Sequence, residues 1–171
     1  MRSGRLALLA VTTAYVVALV RAGTVLPDRV PSHFDALGRV DGWSSLTSML
    51  VLWTVLGVMV LLGLPLLIRL VLSGEATWVN LPHGTKEYWL APERRAEFRS
   101  RFQDDMERLT ALTGLLLVAL LVVTTWVGTT GRDAAPGWLL PVLVGTYLVV
   151  TVIWTLALVR SYRPPPTAGR A

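Results

Sequence analysis

The sequence predicts an all-α integral membrane protein, a four-helix bundle whose chain crosses the bilayer four times. Three observations predict it. Four apolar segments are each long enough to span lipid. Charge is scarce: 53% of the 171 residues are hydrophobic and 16% are Asp, Glu, Lys or Arg, against about 25% charged in a soluble domain. The basic residues are also divided unevenly among the connecting segments. Mean hydropathy is +0.57, more apolar surface than one globular core of this length absorbs. A net charge of +5 invites a nucleic-acid reading, but the surplus is spread along membrane edges rather than gathered into a patch. With no cysteine, the chain has no disulfide, thiolate metal site, cysteine nucleophile or lipidated cysteine.

The first span is expected from about Leu6 to Leu26. Its uninterrupted apolar run, Leu6 to Val20, covers only roughly 22 Å of helix, so Arg21 falls near the outer boundary. Arg21 either extends outward to water or pairs with an acid of the next loop, Asp35 or Asp41. A cleaved signal peptide is disfavoured because no clean Ala-x-Ala site follows.

Between the first and second spans, residues 26–43 are dense in Pro, Gly, His and Asp. Pro27 and Pro31 restrict the backbone and Gly38 and Gly42 relax it, so a compact structured loop is expected. Asp41-Gly42 reads as its tight turn, and Ser44 or Ser45 as the cap of the next helix. His33, Asp35 and Asp41 match no dedicated metal spacing. Hydrogen bonds within the loop are their expected role, and no metal or cofactor is expected.

The second span is expected from Leu46 to Val71, with Arg69 near its end and Pro65 inside it as a tolerated kink. In the following loop, Pro92 with Glu93 opens a helix that runs straight into the third span, Leu109 to Val127. On that helix Glu97–Arg101 and Asp104–Arg108 are acid-first i,i+4 pairs, and Phe98, Phe102 and Met106 form an apolar stripe. Tyr88 and Trp89 read as interfacial anchors. The fourth span is Trp138 to Val159. Residues 1–162 are read as one membrane domain and 163–171, rich in proline, as a disordered cytoplasmic tail. Gly57, Gly63, Gly114 and Gly145 suit close helix contacts, within one chain or in a homo-oligomer.

Orientation follows from the basic residues. Arg2 and Arg5, the seven from Arg69 to Arg108, and Arg160, Arg163 and Arg170 share one side; Arg21, Arg29, Arg39 and Arg132 take the other. Both termini and the central loop are therefore expected in the cytoplasm.

The two long loops carry a resemblance. Leu26-Pro-x-x-Val-Pro-x-His-Phe-x-x-x-Gly-x-x-Asp-x-Trp43 resembles a bacterial membrane domain of unknown function. That domain is also found at the N-terminus of the Sdp toxin-immunity and signalling proteins (SdpI-like). Asn80-Leu-Pro-x-x-x-Lys-Glu-Tyr-Trp-Leu-Ala-Pro-Glu-Arg94 resembles its companion segment. By position the resemblance implies ligand or partner candidates at Pro31, His33, Phe34, Gly38, Asp41 and Trp43 outside, and at Asn80, Pro82, Lys86, Tyr88, Trp89 and Pro92 inside. Asp35 joins them from its place in the loop.

The expected function is non-enzymatic: sensing, immunity or signal relay at the envelope. The partners are the lipid bilayer and an extracellular peptide or a cytoplasmic regulator, with no nucleic acid. A small transporter or channel subunit acting as an oligomer is the alternative. A membrane enzyme is disfavoured because no nucleophile–base pair or phosphate loop accompanies His33 and the aspartates.

Overall fold

The structure is a computed structural model that describes residues 2–74 and 84–165. Four of its helices are long and apolar enough to cross a membrane: Ser3–Val25 (α1), Leu46–Ser73 (α2), Arg95–Thr130 (α4) and Leu139–Ser161 (α5). A short helix, Thr85–Leu90 (α3), precedes α4. Between α1 and α2 stand two antiparallel strands, Arg29–Phe34 (β1) and Val40–Ser45 (β2). The chain is thus mostly helical, and the expected compact outer loop is a β-hairpin.

The helix ends follow from local chemistry. Ser45 caps α2, its hydroxyl accepting from the Ser48 amide at 3.1 Å. α1 has no capping side chain of its own. Its orphan Gly4 amide donates instead to the Asp104 carboxylate of α4 at 2.8 Å, so a distant residue supplies the anion that a helix start favours. Pro92 and Glu93 lie in a turn just before α4, whose first residue is Arg95; the apolar span then continues from this polar start as a single helix of 36 residues.

In α2 a wide π turn over Val58–Gly63 stands directly before Pro65. A proline lacks an amide and its ring crowds the preceding turn, and one widened turn absorbs both defects without breaking the span. Packing holds the site: Pro65 and Leu61 are buried, and the Tyr15 hydroxyl of α1 donates to the Trp53 carbonyl one turn before.

Helix α4 is the spine. α1 lies along it most extensively, and Leu8, Val11, Leu61, Ala111 and Leu121 form the shared core. At Gly114 an added Cβ would stand 2.6 Å from Leu61 and 2.7 Å from Val11, so α1, α2 and α4 meet where only glycine fits. Tyr15 likewise covers Gly57. A Cβ added at Gly145 would meet nothing within 4 Å among the described residues, so no close helix contact there requires glycine. Helix α5 is the loosest element, and none of its residues is buried.

One local expectation holds and one is corrected. Arg21 is exposed on the α1 flank, the outward placement expected of it, and pairs with neither Asp35 nor Asp41, which Arg39 and His33 engage. Asp41-Gly42 is not the turn but part of β2; the reversal spans residues 35–39, with Gly38 at φ +78°. Residues 166–171, most of the expected tail, lie outside the described residues.

Candidate functional site

The candidate residues fall into two clusters at opposite ends of α4. The first is the hairpin. Asp35 organises its turn: one carboxylate oxygen accepts the Leu37 and Arg39 amides, both at 2.8 Å, and the other holds the Arg39 side chain at 3.3 Å. Gly38, buried beneath this turn, presses on the α4–α5 connection, where an added Cβ would stand 2.8 Å from the Ala135 carbonyl. The hairpin bonds that connection directly: the Val40 amide donates to Asp133 and the Ala135 amide to Gly38. Pro31 is fully buried, and its ring with Leu26 leaves room only for a glycine at 128 of α4. Phe34 packs on the cluster of Val123, Val127 and Ala135.

What the hairpin leaves outward is polar and aromatic. His33 Nδ1 meets Asp41 Oδ1 at 2.5 Å across the strands, with side-chain exposures of 71% and 47%. A side chain at Gly42 would collide with His33, so the glycine sets how close the imidazole lies to β2. Trp43, 40% exposed, lies two residues from Asp41 on the same face of β2, with the Arg29 guanidinium 5.2 Å from its ring. Of the seven outer candidates, Pro31, Phe34, Asp35 and Gly38 build the hairpin, and His33, Asp41 and Trp43 form its open rim. Asp35 faces its own turn, not the His33–Asp41 pair. Among the described residues no group of three or more His, Cys, Asp or Glu is placed to hold a metal ion.

The second cluster is a platform at the end of α4 where α1 begins and α5 ends. Asn80 and Pro82 lie outside the described residues. Lys86 is half-buried on α3 and Pro92 is exposed in the turn before α4. Tyr88 takes the Arg94 guanidinium 4.0 Å over its ring. Trp89, expected as an interfacial anchor, is buried instead. Its indole N–H donates to the Tyr162 carbonyl at 2.8 Å, and its ring meets Phe98 and Tyr162. The stripe of Phe98 and Phe102 packs into this same aromatic group.

Charges lock the platform to all four spans. The Tyr162 hydroxyl donates to Asp105 at 2.9 Å. Burial, then the hydrogen bond to Asp105, pushes the tyrosine pKa far above its ordinary value. Arg108 reaches Asp104 at 2.6 Å, Asp105 at 3.1 Å and the Ser3 hydroxyl. Arg69 of α2 meets Glu107 at 3.1 Å, where the glutamate side chain is only 2% exposed. Gln103 donates to the same glutamate oxygen. The expected Asp104–Arg108 pair forms. Arg101 turns away from Glu97, donates to the Ser161 carbonyl at 3.0 Å and stacks 4.8 Å over Tyr162.

Arg69–Glu107 and Asp105–Tyr162 escape a reading by spacing, because their partners are 38 and 57 residues apart. Nothing along the chain marks them either: 104, 105 and 107 fall within about 160° of a helix, an arc that can face solvent whole.

Residues 7–58 match the family model described as Domain of unknown function (DUF1648). The match covers α1, the hairpin and the first half of α2; the companion segment around Trp89 lies beyond it. No curated protein matches the chain, and no solved structure does.

Proposed function

We propose that this chain is a non-enzymatic multi-pass protein of the bacterial cytoplasmic membrane, related to the Sdp immunity and signalling proteins. Its termini are cytoplasmic, a placement the excess of basic residues on that side supports. The hairpin rim of His33, Asp41 and Trp43 meets an extracellular peptide, and the platform around Trp89 and Tyr162 reports to a cytoplasmic regulator. The observation that carries this reading is the continuity of α4. One helix touches the hairpin at Gly128 and anchors the platform at Asp105. These points are roughly 35 Å apart along a rigid element. A push on the hairpin is therefore delivered to the platform without crossing a flexible joint.

The test is a deletion strain challenged with peptide toxins and followed with an envelope-stress reporter. Loss of protection or of reporter response, restored by the wild-type chain, is the expected result. A deletion strain that behaves as the parent in both assays ends the proposal. Transport through an oligomer draws support from one feature, the buried Arg69–Glu107 pair, since ionic pairs among spans mark many transport paths. Reconstituted liposomes without ion or peptide flux remove that second reading.

A further inference from the structure

The flank between α1 and α4, at the hairpin end, carries a groove of about 490 Å³. The two helices run in the same direction, since Gly4 meets Asp104, Val11 meets Gly114 and Leu26 meets Gly128. One stripe of each helix lines the groove. Ala18, Arg21 and Val25 come from α1, and Val122, Thr125 and Trp126 face them from α4. A single space is therefore bounded by apolar side chains and one guanidinium.

Its charge is one-sided. Arg21 stands roughly 7 Å short of the Leu26–Gly128 contact, inside the length of the span. A cation at that depth calls for an anion or for water. No carboxylate lines the groove, and among the described residues the Arg21 side chain has neither an ion pair nor a hydrogen bond. The Thr125 hydroxyl is already spent on the Leu121 carbonyl, so Arg21 sets the polarity of the site. A second guanidinium, that of Arg132, lies 5.0 Å from the centre of the Trp126 ring. The remaining walls are apolar, with Val25 and Val122 45% and 52% exposed.

We infer that this groove holds one anionic phospholipid of the leaflet at the hairpin end, with its phosphodiester on Arg21 and an acyl chain along Ala18 and Val122. Charge complementarity selects the occupant. A phosphate accepts two parallel bonds from a planar guanidinium whose donors are all free. A headgroup that also bears an ammonium brings a cation toward Arg21 and Arg132 and finds no carboxylate in the groove to receive it. Phosphatidylglycerol meets no such conflict. The apolar residues on either side of Arg21 select an amphiphile over a free anion. A second copy packed on this flank about a two-fold axis would set Arg21 against Arg21. The lipid bridges α1 and α4 just inside the point where Leu26 and Pro31 seat the hairpin on Gly128.

The experiment is native mass spectrometry of the full chain, purified in mild detergent, delipidated and titrated with dioleoyl phosphatidylglycerol or dioleoyl phosphatidylethanolamine. Phosphatidylglycerol is expected to bind about 10-fold more tightly, the worth of one charge-assisted contact with no opposing cation. Arg21→Gln is expected to remove that preference. Arg5→Gln makes the same charge change at an exposed site on the same helix outside the groove, and is expected to keep it. Excess inorganic phosphate is expected to leave the bound lipid in place. Equal binding of the two lipids by the wild-type chain, the outcome for an arginine that only reaches water, overturns the proposal without recourse to any variant. So does a preference that survives Arg21→Gln or vanishes with Arg5→Gln, displacement of the lipid by phosphate, or a dimer closed through this flank that excludes lipid.

Discussion

The hairpin and the platform stand at opposite ends of one helix and are held by different forces. The hairpin is a local object. Its turn is bonded by Asp35 to residues two and four positions on, and its polar pairs, His33–Asp41 and Asp35–Arg39, are largely exposed. The platform is assembled from residues far apart in the chain. Ser3, Arg69, Trp89, Asp105 and Tyr162 meet there, and its carboxylates are mostly buried. Exposed ion pairs are worth little, whereas a buried carboxylate that loses its partner is costly. The platform should therefore carry stability, and the hairpin rim should be free to carry recognition.

The largest effect that tests this contrast is at Arg69. Arg69→Leu leaves the Glu107 carboxylate buried with only Gln103 beside it. The expected loss is about 3 kcal/mol, at the low end for a broken buried pair because the arginine side is 46% exposed. Unfolding in detergent micelles measures it. Adding Glu107→Leu to the same chain should recover most of the loss, since no uncompensated charge remains. A cost below about 1 kcal/mol would place the pair with surface bridges and erase the difference between the two ends.

Tyr162→Phe is a smaller and sharper cut. It removes the donor to Asp105 and keeps the ring that Trp89 and Phe98 touch, at an expected cost of about 1–2 kcal/mol at neutral pH. The pH dependence has a definite sign. The native tyrosine pKa lies above the unfolded value of about 10, so the fold favours the neutral phenol. Its contribution is whole below pH ~10 and is lost as pH rises beyond that. The wild-type chain should therefore lose stability between about pH 10 and 11 more steeply than Tyr162→Phe, and the gap between them should close. Parallel alkaline slopes would mean that the hydroxyl is not held in the platform.

The same division explains what the sequence discloses. Span lengths, the helix that runs unbroken into the third span, the Ser45 cap and a self-bonded outer loop all rest on residues within a few positions of one another. Such short-range chemistry is readable along the chain. The misreadings came where a distant partner decided the outcome. Trp89 suits a headgroup region by type, yet the carbonyl at Tyr162, 73 residues away, draws it inside. Arg101 has Glu97 at the favourable spacing, yet it turns to the end of α5.

The smallest expected effect on stability is at His33, and it tests the other half of the comparison. The imidazole is 71% exposed on its side chain, and its partner Asp41 is itself 47% exposed. Removing so exposed a polar contact changes folding by no more than about 0.5 kcal/mol. His33→Ala should therefore unfold in micelles as the wild-type chain does and accumulate in the membrane at the same level. Protection from peptide toxin should nevertheless be lost, because the His33–Asp41 pair stands on the outward rim beside Trp43. If the variant protects as well as the wild type, recognition does not reside at His33–Asp41. If it fails to protect and also fails to accumulate, the histidine supports the hairpin instead of displaying a surface on it. Only unchanged stability with lost protection separates a recognition rim from a structural one, and it does so at the end of α4 where the fold has least to lose.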